Sequence, residues 1–200
     1  ASHSRRDSIL LIYDCLYPES LGGVERRNLD LARSIAAFGN RVALAAPVTE
    51  PEQIPSGVTV IPLPDRGGLY SKGGKRRVST GLRYSRSIAD LDISPFDVIE
   101  TANVPFLHLP ALQRRCRRAG KFLVVSWYEC WRGYWRQYLG PIRGLAAAAI
   151  ERWTARRCGD LLIASSYLTE RRLRHLTRRP ISRLPVGIPV ASIRAASLSG

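Results

Sequence analysis

Residues 121–126 read KFLVVS, a nearly continuous run of apolar residues that begins at a lysine and ends at a serine. A run of this kind is typical of a strand in the middle of a parallel sheet, where neighbouring layers cover both faces. The stretch therefore predicts a central strand of a sheet that is buried between two layers of helices.

Six other segments of strand length precede and follow this run, at residues 8–13, 41–46, 58–63, 97–101, 160–164 and 181–184. Helical patterns lie between them, at residues 22–38, 76–91, 105–118, from Pro141 onward and from a serine cap at 165 or 166 to about 176. Strands that alternate with helices predict a parallel sheet with helices on both faces. We therefore expect an α/β fold, a Rossmann-like doubly wound sheet of about seven strands in a three-layer αβα arrangement.

The helix that begins at Pro141 has the clearest periodicity, because proline is well tolerated in a first turn. Its apolar residues recur three and four positions apart, which predicts a single apolar face. That face consists of Ile142, Leu145, Ala146, Ala149, Ile150 and Trp153.

Composition is that of one globular domain, with 200 residues, 45% hydrophobic and 24% charged. No apolar run approaches the ~20 residues of a membrane span. The apolar run near the N-terminus is short and meets Asp14, so a signal peptide is not expected. The cysteines at 15, 116, 130 and 158 match no zinc or CxxC spacing, which predicts free thiols in a reducing compartment.

Charge is distributed unevenly along the chain. Residues 101–200 contain 18 basic and 4 acidic side chains, whereas residues 1–60 contain 6 and 7. Asymmetry of this size indicates a surface that meets a polyanion, such as a membrane, a nucleic acid or a phosphorylated substrate. A solvated basic surface with nothing bound is the alternative.

Two basic segments carry most of this prediction, at residues 66–86 and 171–183. Leucines and tyrosines within the first segment favour an anionic membrane surface over a purely electrostatic partner. The residues assigned to this face are Lys72, Lys75, Arg76, Arg77, Arg171, Arg172, Arg178 and Arg179. A nucleic-acid-binding module remains an alternative, although no RNP-like, helix-turn-helix or zinc signature is present.

Three segments follow predicted strands and lie where open α/β sheets bind ligands, outside the carboxyl ends of the strands. The first is the loop of residues 14–23, which ends in Gly22 and Gly23 at a helix start and suits the approach of a phosphate. A loop that needs positive φ explains the same glycines. The second is residues 101–103, which include Asn103 and also read as an ordinary helix lead-in.

The third segment, residues 126–131, reads SWYECW. A carboxylate beside aromatic rings is typical of a sugar site, because rings pack on the apolar face of a pyranose and the acid accepts hydroxyl hydrogens. Aromatic residues that pack beneath a loop are the structural alternative.

Together these segments resemble the N-terminal domain of GT-B fold glycosyltransferases, specifically the retaining family 4. The resemblance covers about residues 7–190, and five weak motifs carry it in order: YPESLGGVERRNLDLARSIAAFGNRVALAAP, FDVIETANVP, VVSWYECWRGYWRQYLG, CGDLLIASSYL and LPVGIPV.

The resemblance implies a two-domain enzyme in which the N-terminal domain mainly binds the acceptor and the C-terminal domain holds the nucleotide-sugar. Residues 1–189 would be the Rossmann-like acceptor-binding domain and residues 190–200 the start of an interdomain linker. The C-terminal domain would be absent, so the fragment alone would be inactive. A UDP- or GDP-sugar would be the co-substrate, with no metal and no other cofactor.

Residue by residue, the resemblance implies catalytic roles for Glu129 and Tyr128 near the transferred sugar. It implies contacts from Gly22 and Gly23 to the donor diphosphate or the acceptor. Asn103 and Trp127 complete the predicted binding set. Tyr128 departs from the family pattern, which commonly has histidine there, and tyrosine keeps one hydroxyl donor and acceptor but does not titrate near pH 7.

The cysteines and the two basic segments, together with membrane-surface relatives of this domain, predict a cytoplasmic protein that associates peripherally with the inner face of the membrane and uses a lipid-linked or phosphate-bearing acceptor. A catalytically silent relative that serves as a binding scaffold is the remaining alternative.

Overall fold

The computed structural model describes residues 7–14, 23–47, 54, 56–64, 78–185 and 187. Its strands are β1 (Ser8–Ile12), β2 (Arg41–Ala46), β3 (Val58–Pro62), β4 (Val98–Ala102), β5 (Phe122–Trp127), β6 (Leu161–Ala164) and β7 (Ile181–Arg183). Its helices are α1 (Gly23–Ala37), α2 (Val78–Asp90), α3 (Leu109–Ala119), α4 (Tyr134–Leu139), α5 (Pro141–Arg157) and α6 (Tyr167–Arg174).

All seven strands pair in parallel in the order β3-β2-β1-β4-β5-β6-β7. The predicted Rossmann-like sheet is therefore confirmed, with β5 inside it as its apolar sequence indicates. The chain adds strands outward from β1 on one side, through β2 and β3, and then outward on the other side, from β4 to β7. The switch point between β1 and β4 is where doubly wound sheets open a crevice for ligands.

Side chains of successive strand residues enter two separate cores, one on each face of the sheet. On β1, Leu10 and Ile12 pack with α2 and α3, whereas Leu11 and Tyr13 face the cluster that Leu29 and Ala32 of α1 complete. Helices therefore cover both faces, and this explains why the strands read as continuous apolar runs.

The predicted helix stops are confirmed at two glycines. Gly39 has φ of 83° just after α1, and Gly120 has φ of 65° at the end of α3. The Gly120 N–H donates to Arg117 and Cys116 carbonyls, which closes the last turn of α3.

Helix α4 was not predicted from the sequence. It spans only six residues between Gly133 and Gly140, and none of its side chains is fully buried. A helix this short shows no apolar period that would separate it from a loop. It is held by close packing on α5, where a Cβ at Gly144 would lie 2.5 Å from the Arg136 Cα.

Helix α5 forms as predicted, but its apolar face does not contact the core. The residues that it buries are Gly144, Glu151, Thr154 and Ala155, while Ile142, Leu145, Ala146, Ala149, Ile150 and Trp153 are exposed. Small residues face inward because α4 approaches closely, and Glu151 faces inward because it bonds the loop after β5.

The thiols of Cys116, Cys130 and Cys158 are free and buried, as expected, while Cys15 lies outside the described residues. Burial raises the pKa of Cys116 and Cys158 to about 11 and that of Cys130 to about 12. Within the described ranges, no helix is long and apolar enough to cross a membrane.

Candidate functional site

Two of the three predicted segments, residues 101–103 and 126–131, reach the carboxyl edge of the sheet, and Tyr13 lies there as well, while residues 15–22 of the first predicted segment lie outside the described residues. Tyr13 follows β1, Asn103 follows β4 and Tyr128 follows β5, and these three strands are neighbours. The Asn103 N–H donates to the Ser126 carbonyl at 2.8 Å, which joins the ends of β4 and β5. The site therefore lies at the switch point of the sheet, beside the N-terminal turns of α1.

A buried carboxylate, Glu100, lies beneath this edge on the face that α1 covers. Its Oε1 accepts a hydrogen bond from Ser126 Oγ at 2.5 Å, and its Oε2 accepts one from the Tyr13 hydroxyl. Glu100 of β4, Ser126 of β5 and Tyr13, which directly follows β1, thus form one hydrogen-bonded polar group within an apolar layer. Buried polar atoms need such partners, because an unpaired one costs about 1–3 kcal/mol.

Tyr128 connects the end of β5 to α1. Its hydroxyl accepts a hydrogen bond from Arg27 Nη1 at 2.8 Å and donates one to Asn28 Oδ1 at 2.8 Å. The Arg27 guanidinium also lies 5.3 Å from the centre of the Tyr128 ring, within cation–π range. These contacts hold the ring near the N-terminal turns of α1, a helix whose first residue is Gly23.

Electrostatic coupling links these groups. Burial raises the pKa of Glu100, although the hydroxyls of Ser126 and Tyr13 and the charge of Arg27 act against it. Burial, followed by the charge of Glu100, raises the pKa of Tyr13 well above its usual value. Burial acts to lower the pKa of Arg27, but Tyr128, Tyr13 and Glu100 outweigh it and hold that pKa high.

The loop that follows β5, residues 128–132, is tied to the domain through its backbone. The Tyr128 carbonyl accepts hydrogen bonds from Ser165 Oγ at 2.9 Å and Thr169 Oγ1 at 3.2 Å. The Cys130 carbonyl accepts one from Arg172 Nη1 at 2.8 Å. Helix α6 and Ser165, the residue that follows β6, thereby fix the carbonyl side of this loop.

Glu151 of α5 fixes the amide side of the same loop. Its Oε1 accepts the Trp131 N–H at 2.8 Å, and its Oε2 accepts the Arg132 N–H at 2.7 Å. The side chain is buried, and burial raises the pKa of its carboxyl. Arg132 has φ of 52°, a left-handed conformation that a non-glycine residue rarely adopts without support.

Glu129 lies at the tip of this loop and is exposed. Its Oε2 accepts a hydrogen bond from the Trp131 indole N–H, and its carbonyl accepts one from Asn103 Nδ2 at 3.4 Å. The Trp131 ring packs edge-on against Tyr134 and Tyr138. An exposed carboxylate thus stands beside a group of aromatic rings in a loop with a defined backbone.

Two of the predicted binding residues lie beneath this surface. Trp127 is 1% exposed and packs against Phe106 in the core, so it supports the site from below. Asn103 is also buried, and its Oδ1 has no hydrogen-bond partner among the residues that the structure describes. His108 bonds the Ala102 carbonyl through Nε2 at 3.1 Å and so holds the strand end that precedes Asn103.

The structure distributes the predicted basic face unequally. Arg171 and Arg178 are exposed, whereas Arg172 bonds the loop after β5 and Arg179 donates to the carbonyls of residues 156, 157 and 159. Gly22, Lys72, Lys75, Arg76 and Arg77 lie outside the described residues.

Sequence reasoning missed Arg27, Glu100 and Glu151. Glu100 falls inside a strand whose other residues are apolar or small, and a charged residue in such a run signals a buried partner. Arg27 and Glu151 carry no comparable signal, because charged residues in helices are common at solvated positions. In the described part of the chain, no group of three or more His, Cys, Asp or Glu side chains could hold a metal ion.

The sequence model of Glycosyltransferase Family 4 matches residues 21–192, most of the chain. The chain belongs to Glycosyltransferase Family 4. No curated protein sequence matches it significantly. The family assignment agrees with the resemblance carried by the loop after β5 and by the segments around β1 and β4.

Solved GT-B glycosyltransferase structures share the fold of this family 4 domain. Sucrose-phosphate synthase from Thermosynechococcus elongatus superposes with a TM-score of 0.59 at 14% identity, covering 96% of this chain and 97% of that one. HepE from Anabaena in complex with UDP superposes with a TM-score of 0.59 at 16% identity, covering 96% of this chain and 50% of that one. UGT2 from Phytolacca americana, complexed with UDP-2fluoro-glucose and pterostilbene, superposes with a TM-score of 0.54 at 12% identity. The match covers 90% of this chain and 53% of that one. These identities show the fold alone, and the chain spans about half the length of the last two.

We expect the family 4 domain to lose about 1–2 kcal/mol of unfolding free energy when Tyr128→Phe removes the hydroxyl, because Arg27 and Asn28 each lose a partner. Urea denaturation measures this change. The exposed Tyr167 is the matched control, and Tyr167→Phe is expected to stay within about 0.5 kcal/mol of the parent. Equal losses for both variants would show that the contacts of Tyr128 with α1 contribute nothing.

Proposed function

We propose that this chain is the acceptor-binding domain of a retaining glycosyltransferase that transfers a sugar from a nucleotide-sugar to an acceptor. A second, C-terminal domain would hold most of the donor. The observation that carries the proposal is the position of Glu129, an exposed carboxylate just after β5 at the carboxyl edge of the sheet, within hydrogen-bond reach of Trp131. Family membership and the fold support the reaction class.

A nucleotide-sugar donor is supported by structures that share the fold. HepE has been solved in complex with UDP and with UDP-glucose, and UGT2 with UDP-2fluoro-glucose. The N-terminal turns of α1 suit the diphosphate of such a donor, because a helix start presents free N–H groups and a partial positive charge. We place Gly22 and Gly23 at that end of the site, and we assign no metal or other cofactor to the reaction.

In this proposal Glu129 accepts hydroxyl hydrogens of the sugar, while the aromatic rings near it pack on apolar sugar faces. Tyr128 acts through position, because its hydroxyl is already bonded to Arg27 and Asn28. Asn103 and Trp127 support the loop from below. A loop whose carbonyls and amides are bonded by β6, α5 and α6 can present a carboxylate in one orientation, as binding in a defined geometry requires.

The acceptor in our proposal is lipid-linked or bears phosphate, and the protein acts at the cytoplasmic face of a membrane. The exposed Arg171 and Arg178 support an anionic partner, as does the net charge of +15. Lys72, Lys75, Arg76 and Arg77, which lie outside the described residues, are assigned to the same anionic partner from the sequence alone.

The test is sugar transfer by a longer protein in which this chain is followed by the proposed donor domain, measured as release of the nucleoside diphosphate. Glu129→Gln is expected to lower kcat about 100-fold, the scale on which single groups that act in the transition state contribute. Glu170→Gln, at a glutamate that pairs with Arg174 on the surface of α6, is the matched control and should retain parental activity.

The isolated 200-residue chain is expected to show no transfer. Parental activity in the Glu129→Gln enzyme would remove Glu129 from the site. Absence of transfer and of donor hydrolysis in the longer protein, with every donor tried, would favour a binding scaffold instead.

A further inference from the structure

The outer face of α5 exposes an apolar stripe. Ile142 is 83% exposed, Leu145 55% and Trp153 49%, and Ile150 is also exposed. These residues are spaced three, five and three positions apart along the helix, so they lie along one side of it. The helix is 17 residues long, which gives the stripe a length of about 25 Å.

Arginines border this stripe on both sides. Arg152 and Arg156 lie along one border, and Arg143 and Arg157 lie along the other, as the 100° advance per residue of an α-helix requires. All four are exposed. Glu151 is the one acidic residue between positions 134 and 158, and it is buried on the opposite side of the helix. The exposed surface is therefore apolar along its middle and positive along its edges.

This surface is continuous with the exposed arginines that follow α6. Arg156 Nε donates to the Leu176 carbonyl at 2.8 Å, and Arg179 Nε donates to the Arg156 carbonyl at 3.0 Å. Arg178, which is exposed, lies in the same turn as Arg179. The arginines of α5 and those after α6 therefore lie side by side beyond the C-terminal end of α5.

The apolar stripe and its bordering arginines together favour one class of partner over the others. Nucleic acid would use the arginines for phosphates but would leave aliphatic side chains such as Ile142 and Leu145 against polar backbone. A second copy of the chain would bring another arginine-bordered stripe against this one, and the like charges would repel. An anionic bilayer matches both parts, because apolar side chains enter the acyl boundary while arginines reach the headgroups.

We propose that the outer face of α5 docks on an anionic lipid bilayer, with Ile142, Leu145, Ile150 and Trp153 in the acyl boundary and the four bordering arginines at the headgroups. The docking of α5 rests on the membrane association in the proposed function, and it adds the element that contacts the lipid. It does not require sugar transfer, because lipid binding is measured without donor or acceptor.

The experiment measures partition of the 200-residue chain onto vesicles of phosphatidylglycerol mixed with phosphatidylcholine, and onto phosphatidylcholine alone. Wild-type protein is expected to prefer the anionic vesicles and to dissociate at high salt. Replacing two stripe residues together, Ile142→Ser with Trp153→Ser, is expected to lower partition about tenfold or more. Phe38→Ser, at an exposed apolar side chain after α1, is the control and should leave partition unchanged.

Charge is tested with two triple variants of equal net charge. Replacement of Arg143, Arg152 and Arg157 by glutamine is expected to lower partition onto anionic vesicles about tenfold or more, since each contributes at the headgroups. The same change at Arg114, Arg117 and Arg118, which are exposed on α3, is expected to have less than a third of that effect. Circular dichroism confirms that each variant is folded.

Depth is tested with lipids brominated on their acyl chains, which quench tryptophan fluorescence on contact. Quenching in the wild-type protein should largely disappear in Trp153→Phe, a variant that still binds. Persistence of the same quenching in Trp153→Phe would overturn the proposal, because another tryptophan would then be the one in the bilayer.

Three other results would overturn it: no binding of wild-type protein to anionic vesicles, equal binding by the stripe variant, or self-association in solution that the stripe variant abolishes while vesicle binding persists. The last result would assign the face to a second copy. Loss of vesicle binding in the stripe variant, together with no sugar transfer by the longer protein, would leave this inference standing and remove the proposed reaction.

Discussion

Replacing Glu151 with alanine will lower the free energy of unfolding by about 3 kcal/mol or more, because the amides of Trp131 and Arg132 then lose their acceptor. An unpaired buried N–H costs about 1–3 kcal/mol, these two amides are partly buried, and the truncated side chain of Glu151 also leaves a gap beneath the loop. Glu151→Gln is expected to lose about half as much, since its amide oxygen still accepts one N–H while its NH₂ group faces the other. Urea denaturation measures both.

Arg152→Ala is the matched control, because it places alanine at the adjacent, exposed position of the same helix. It should change the free energy by less than about 0.5 kcal/mol. Equal losses in Glu151→Ala and Arg152→Ala would show that the carboxylate does not hold the loop.

Glu151→Gln also tests whether Glu151 positions Glu129. Glu151 accepts the backbone N–H of Trp131, and the indole N–H of Trp131 in turn donates to the Glu129 carboxylate. In the longer enzyme, Glu151→Gln is expected to lower kcat about tenfold or more while KM for the donor changes less, since a displaced carboxylate acts mainly on the reacting geometry. A change in KM alone would assign Glu151 to binding rather than to positioning.

Glu100→Gln will change how stability depends on pH. Burial raises the pKa of Glu100 above its ordinary value, so the folded state holds this proton more tightly than the unfolded chain does. The resulting stability is fully present below the unfolded pKa and is lost as pH rises through the folded pKa. Each unit by which folding raises the pKa is equivalent to about 1.4 kcal/mol.

The Gln variant mimics the protonated carboxyl at every pH. Its free energy of unfolding should be close to that of the parent at about pH 4 and should exceed it by an increasing amount as pH rises toward neutrality. Tyr13→Phe should have the opposite effect, because removing a hydroxyl donor from Glu100 raises the carboxyl pKa further and extends the fall in stability to higher pH. Urea denaturation at a series of pH values measures all three proteins, and parallel profiles for the parent and Glu100→Gln would contradict the prediction.

Most of the sheet could be predicted because each strand carries its own signal. The run at 121–126 lies within one residue of β5, and the segment at 41–46 matches β2 at both ends. Parallel order follows from the alternation of strands and helices, since each crossover must return the chain to the same edge. Helix α4 escaped prediction because six residues between two glycines contain no period to detect.

The sequence predicts where the site residues lie, but it does not predict which side chains they bond. The order of strands places residues 103, 128 and 129 at one edge, so their approximate position follows from topology. The partners of those residues do not, because Arg27, Asn28 and Glu151 come from helices whose rotation about their axes the sequence leaves open. The buried state of Trp127 also depends on which face of β5 meets the larger core.

Helix α5 shows the same limit most directly. Its apolar spacing predicts a helix, but spacing cannot tell whether the apolar stripe turns inward or outward. Packing decided that, because the close approach of α4 at Gly144 and the two hydrogen bonds of Glu151 hold the opposite face against the domain. By itself, the sequence determined the strands, their parallel order and the edge where the site forms, since these depend on local patterns and chain connectivity. Only the tertiary structure decided which charged side chains are buried as partners and which apolar ones remain outside, because those outcomes depend on contacts between residues far apart in the chain.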